Sequence, residues 1–258
     1  MPLPTKKRVT GLDLRRMMIL LFGRRGVGKS TLVVSEDPER TIVLSSHNGL
    51  GSISCYEAPF TNLKELFALL KDLKEDNGKR FSIVVIDEID DVYKALMADV
   101  LRQRGFDDLS QVPRDDTASI YGSASARLDS FFQHLRSLPY SFRFTSGERV
   151  AEPRGKRAHE DPVVVSSGMS NSPRRILDKH LDGIWRLSFE EGTGRRMIRF
   201  TPFSQDRRLI ECKSRLPDTA KGALPVAAVP ISDGDERALS WADAITARFT
   251  TAMEGNPA

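Results

Sequence analysis

Two cysteines, four histidines and an aromatic content of 7% leave several chemistries without material in this 258-residue chain. Cys55 and Cys212 are too few for a disulfide framework, so a reduced, cytoplasmic setting is the simpler expectation. His134 and His180 have no partner at ligand spacing, which argues against a metal site built on them. No apolar run approaches the roughly 20 residues of a membrane span. The opening MPLPTKKRVTGLDLRR has no apolar core of the kind a signal peptide needs, and its KKR reads as part of a solvated basic tail over residues 1–15. Charge of one sign is also scarce: 39 Lys and Arg against 35 Asp and Glu leave a net +4, too mild to imply nucleic acid by itself. There is no internal repeat and no clear domain boundary, and the length suits one sizeable core.

What the chain does have is alternation. MMILLF (17–22) is short and wholly apolar, as a strand buried on both faces would be. TIVLSS (41–46) reads as a second strand. Leu63, Leu66, Phe67 and Leu70 have helical spacing, with Thr61 expected as N-cap and Gly78 after the end. FSIVVIDE (81–88) is the strongest strand pattern. A helix closed by Gly105 follows, then an expected loop over 105–120, a helix stopped by Pro139, and a strand at 140–146. This β-α-β-α-β-α-β order predicts an α/β fold, a mostly parallel sheet with helices on both faces. Beyond residue 147 a polar loop is expected, then a hairpin over 183–202 turning at GTG, a strand at 207–215, an irregular Pro/Gly-rich stretch and a C-terminal helix. The later strands are expected to extend the same sheet. Trp185 and Trp241 read as packing anchors, and Cys212 as a small buried residue.

Gly23-Arg24-Arg25-Gly26-Val27-Gly28-Lys29-Ser30 fits G-x-x-x-x-G-K-[ST], and it lies between a buried strand and a helix, as that motif requires. Glycines let main chain wrap a phosphate without Cβ clashes. Successive amides then form an anion nest, with the dipole of the following helix adding to it. Lys29 can reach the β- and γ-phosphates, and the Ser30 hydroxyl can ligate Mg²⁺. Asp87 ends the FSIVVIDE strand, where ligands sit in open α/β sheets, and is expected to hold the metal through water. Helix capping is the competing role for Asp87. Glu88 could polarise an attacking water, or serve only as part of an acidic helix start with Asp90 and Asp91.

Together these segments resemble the RecA-like phage ATPases of single-strand annealing and recombination, distant relatives of RecA and RadA. ILLFGRRGVGKSTL, RTIVLSSHNGLGSI, FSIVVIDEIDDVYKALMADVL, FFQHLRSLPYSFRFTSGE and RRLIECKSRLP carry the resemblance, across most of residues 17 to 217. It implies a RecA-like core over 16–217; the hairpin read above is then a C-terminal antiparallel extension of that core, and the linker and helix over 218–258 are expected to pack on it. It also implies ATP and Mg²⁺ as cofactors, a homo-oligomer with nucleotide at the subunit interface, and single-stranded DNA as partner. A single-strand-binding protein is a further partner of this class. Gly23, Gly28, Lys29, Ser30 and Asp87 match its nucleotide and metal positions, and Thr31 follows the motif. Lys213 and Arg215 match a basic pair that reaches a neighbour's nucleotide; a solvated basic edge strand is the alternative. A choice of adenine is inherited from the resemblance, since no N-K-x-D motif is present.

Two departures stand out. Where the resembled family has a glutamate as water-activating base, this chain has His47. Where it carries His or Gln as a γ-phosphate sensor, this chain has Gly147. A neutral imidazole at His47 could act as the base, Glu88 could do so instead, or hydrolysis could be slow or absent. Arg149, Arg154, Lys156, Arg157, Arg174 and Arg175 fall in the segments that face DNA in RecA-like proteins and could contact phosphates. Aromatic stackers are absent from 147–175, and a solvated loop is the plainer reading there. Two rival functions remain: another P-loop role, such as a helicase loader or packaging-associated motor, and a nucleotide-gated scaffold without hydrolysis.

Overall fold

The computed structural model describes residues 17–47, 50–51, 53–153, 162–190, 196–205, 208–214, 229–231 and 245. The strands are β1 (Ile19–Phe22), β2 (Thr41–Ser45), β3 (Tyr56–Pro59), β4 (Ile83–Asp87), β5 (Ser141–Ser146), β6 (Glu148–Ala151), β7 (Val163–Ser167), β8 (Gly183–Phe189), β9 (Arg196–Arg199), β10 (Phe203–Gln205), β11 (Arg208–Ile210), β12 (Lys213–Ser214) and β13 (Val229–Ile231). The helices are α1 (Lys29–Val34), α2 (Leu63–Asp76), α3 (Ile89–Gln103), α4 (Arg114–Arg136) and α5 (Asn171–His180).

The main sheet runs β13-β9-β8-β1-β5-β4-β2-β3, with β12 also paired to β8. From β3 to β8 every pairing is parallel. Beyond β8 the partners β9, β12 and β13 run antiparallel. The pleat sends alternate residues of β1 to opposite faces. Leu20 and Phe22 join the cluster under α2, α3, α4 and α5, whereas Ile19 and Leu21 join the one containing Leu32, Val33 and Val34 of α1. The expected parallel α/β sheet with helices on both faces is therefore present. Trp185 anchors the α1 face, fully buried and edge-on to Phe200. Cys212 is buried too, and that burial pushes its thiol up to about 12. Among the described residues no helix is long and apolar enough to cross a membrane.

Several local expectations are corrected. The segment expected as a loop at 105–120 contains the start of α4, which opens at Arg114 after Pro113 with Asp115 and Asp116 in its first turn. Its buried stripe begins at Ile120 and Ala124, and the small residues between hide the periodicity. The N-cap of α2 is Asn62, not Thr61: its side chain accepts from Glu65 N–H, while Glu65 reaches back to the Thr61 N–H and hydroxyl. This is a capping box shifted by one residue. The polar stretch after 147 supplies β6 and β7, and SPRR lies in α5. The later strands do not all extend the first sheet, because β10-β11-β7-β6 form a second one. The strand expected at 207–215 is split, β11 pairing with β7 and β12 with β8. Val229–Ile231, expected to be irregular, pairs with β9. The hairpin over 183–202 is present as β8 and β9; its GTG turn, Trp241, the C-terminal helix apart from Ile245, and residues 1–15 lie outside the described residues.

Candidate functional site

The phosphate loop leaves the C-terminal end of β1 and turns back into α1. Gly26 and Gly28 take φ of +79° and +91°, the left-handed region in which a Cβ is strained. Val27 is buried in the α1-side cluster, while Arg24 and Arg25 are exposed. The loop is thus pinned by its one apolar side chain, and its main chain is left to line the site. Lys29 is only 7% exposed, and its Nζ donates back to the Gly23 and Arg24 carbonyls at 3.2 and 3.4 Å. A Cβ on Gly23 would stand 2.3 Å from the Leu187 carbonyl oxygen of β8. Gly23→Ala should therefore force main chain apart and lower stability by about 3 kcal/mol, the upper end for overpacking. A thermal melt within two degrees of wild type would refute that contact.

Ser30 Oγ donates to Asp87 Oδ1 at 2.9 Å. Thr145 Oγ1 donates to the same oxygen at 2.6 Å and accepts from the Glu88 N–H at 2.8 Å. Hydroxyl and carboxylate together make a hard-oxygen donor set of the kind Mg²⁺ takes. Glu88 has φ +65°, a left-handed geometry costing on the order of 1–3 kcal/mol in a non-glycine residue. Burial pushes its carboxyl above the usual range, Lys29 opposes this, and Asp90, Asp87 and Asp91 add to it.

The next residues tie this end of β4 to β5. Asp90 Oδ2 accepts from Ser146 Oγ at 2.7 Å and from Gly147 N–H at 3.0 Å. Burial raises its pKa against those two bonds. Gly147, where the resembled family carries a sensor side chain, offers its N–H to Asp90 and its carbonyl to the Gly168 N–H. The Glu148 side chain is buried between Arg24 and Arg186, with Nε atoms 3.5 and 2.8 Å away.

A family model described as an AAA domain matches residues 15–210. The chain belongs to the AAA domain family. No curated protein matches the chain. Membership of the AAA domain family supports a nucleotide-binding P-loop ATPase that uses Mg²⁺, and the loop, Lys29 and the Ser30–Asp87 pair are the parts of this chain suited to it.

The remaining candidates lie further out. His47 is exposed, and its Nε2 stands 2.6 Å from Asp91 Oδ2, an oxygen that also accepts from Ser46 Oγ. Hydrogen bonds from Lys94 and Ser46 outweigh burial and hold the Asp91 carboxyl below the usual range. Lys213 is half-buried on β12, opposite Ile184. Arg149 on β6 and Arg175 on α5 are exposed, whereas Arg174 is ion-paired with Glu211. Arg154, Lys156, Arg157 and Arg215 lie outside the described residues. Of the two histidines set aside earlier, His180 is buried, stacked on Phe132 and bonded to Asp129. Thr145, Glu148, Arg186 and Asp91 were not singled out as site residues. Each meets its partner across the sheet or between elements, so spacing along the chain carries no signal of the contact.

Proposed function

We propose that this AAA domain protein binds ATP with Mg²⁺, hydrolyses it, and uses the nucleotide state to control contact with single-stranded DNA in phage-type recombination or annealing. The observation that carries the nucleotide part is the Ser30–Asp87–Thr145 cluster beside a phosphate loop with a buried lysine. Lys29 leaves the loop carbonyls to neutralise the β- and γ-phosphates. Bound Mg²⁺, held by Ser30 and Asp87, would stabilise charge on the phosphates. Glu88 or His47 orients water, and its deprotonated form accepts the proton. Glu88 is the better placed by contact, because its backbone shares Thr145 with Asp87. Lys213 and Arg215 act across a subunit interface of a homo-oligomer.

Support for coupling to DNA comes from the shortness of the path. The β6–β7 hairpin begins one residue after Gly147, Glu148 at its base meets Arg24 of the phosphate loop, and Arg149 follows. Arg149, Arg154, Lys156, Arg157 and Arg175 then contact DNA phosphates, and Arg174 does so on leaving Glu211. Phosphate release with and without single-stranded DNA tests both halves. Stimulation by DNA, and retention falling at least tenfold between about 50 and 200 mM salt, are the expected results. Release without any DNA effect would leave an ATPase of another kind, such as a loader or motor. Binding without release above a Lys29→Ala control would leave a nucleotide-gated scaffold.

A further inference from the structure

We propose that Glu148 is a positioning residue of the nucleotide site, a carboxylate that competes with nucleotide phosphate for Arg24 and so latches the second sheet to the phosphate loop until phosphate binds; this rests on the nucleotide-binding reading above. Glu148 opens β6, an edge strand of that sheet. Its side chain is only 3% exposed and is shared by two arginines. Arg186 comes from β8, opposite Phe22, the last residue before Gly23. Its Nε donates to Glu148 Oε2 at 2.8 Å, and its side chain is 16% exposed. Arg24 belongs to the loop itself. Its Nε stands 3.5 Å from Oε1, and its side chain is 76% exposed. Solvent screening makes such an exposed pair weak, so Arg24 is the partner released at small cost. Glu148 then keeps Arg186, and no buried charge is stranded.

The rest of the β6–β7 pair is fastened differently. Ser146 Oγ and the Gly147 N–H, just before β6, both donate to Asp90 Oδ2, at 2.7 and 3.0 Å. Just after β7, the Gly168 N–H donates to Ser146 Oγ at 3.0 Å and to the Gly147 carbonyl at 2.8 Å. A Cβ on Gly168 would stand 3.1 Å from Asp90 Oδ2. Both ends of the pair thus meet at one carboxylate of α3, three residues past Asp87. None of these donors belongs to the phosphate loop, so phosphate arriving there leaves this pivot in place, whereas the Arg24 contact is made by the loop itself. A ligand shifts such an equilibrium only by preferring one state. Phosphate supplies that preference twice. It gains a charge-assisted hydrogen bond from Arg24, and its own charge repels the Glu148 carboxylate.

The test uses the full chain, a fluorescent ATP analogue, and inorganic pyrophosphate as competitor. Glu148→Gln removes the competing charge and keeps the shape of the side chain. It should tighten pyrophosphate by roughly 3- to 10-fold, the size of one partly screened charge contact. A residue that only braces the fold would weaken pyrophosphate or leave it unchanged, and either result overturns the assignment. In an Arg24→Gln background the same change should tighten pyrophosphate by less than about twofold, because the contested cation is gone. A gain as large as in the wild-type background overturns the competition. Should the glutamine variant not fold, hydrogen exchange of the wild-type chain decides. Pyrophosphate should speed exchange of the β6 amides by about twofold or more as the latch opens, and unchanged or slower exchange overturns it. Lys29→Ala separates the two levels. If wild type binds, Lys29→Ala does not, and Glu148→Gln matches wild type, only the Glu148 assignment fails. If wild type itself does not bind, the nucleotide reading fails with it.

Discussion

Replacing Lys29 by alanine should lower ATP hydrolysis by on the order of 10³-fold, the loss expected when a preorganised donor to developing phosphate charge is removed. The Lys29 ammonium is nearly buried and is held by two loop carbonyls. Carbonyl oxygens satisfy hydrogen bonds but do not neutralise charge, so the group is kept at a desolvation cost that only an anion offsets well. Burial pushes the Glu88 carboxyl above its usual range, and the Lys29 charge opposes that rise. Removing Lys29 therefore takes away the cation aimed at the phosphates and leaves Glu88 with less opposition to protonation. Stability should change little or rise, since an alanine leaves no buried charge behind. The measurement is phosphate release from the purified protein alongside a thermal melt. Turnover within tenfold of wild type would show that this loop is not the catalytic phosphate site.

How much of this could be read in advance follows from distance along the chain. The phosphate loop is contiguous, so its glycines, Lys29 and Ser30 are legible as a string, and Asp87 follows from the apolar run before it. Thr145 is not legible in that way. It reaches Asp87 because β4 and β5 pair in parallel with Ile86 opposite Phe144, which puts the next residues side by side. The same holds for Arg186, which the β1–β8 pairing sets opposite Phe22 and within reach of Glu148. The second sheet was missed because its central contact joins β7 to β11, which are far apart in sequence. Strand β7 is short and falls in a stretch expected as a polar loop, and β11 lies in the strand expected at 207–215 as an extension of the first sheet. The early turns of α4 were missed for a different reason: Ser, Ala and Gly dilute the stripe until packing against α3 and α5 supplies it.

The largest stability effect should come from a residue that no motif contains. Arg143 lies in the middle of β5, between Ile19 of β1 and Val85 of β4, and is fully buried. Its Nη2 and Nε meet the two Glu36 carboxylate oxygens at 2.6 and 2.8 Å, and its Nη1 donates to the Met17 carbonyl at 2.6 Å. Glu36 sits just past α1, so the pair fastens the end of that helix to the strand that carries Thr145. Arg143→Ala would leave a buried carboxylate without its cation and should cost about 3–5 kcal/mol. At this chain length that lowers the melting temperature by roughly 10 °C. The double variant Arg143→Met, Glu36→Gln should recover most of the loss, because a well-packed neutral pair often matches a buried ion pair. Hydrolysis should remain reduced in Arg143→Ala even at temperatures where it is folded, since Ser30 on α1 and Thr145 on β5 both hold Asp87 and their spacing depends on this fastening. A single variant that loses less than about 1 kcal/mol, or a folded one with full turnover, would show that α1 is held against β5 by apolar packing alone.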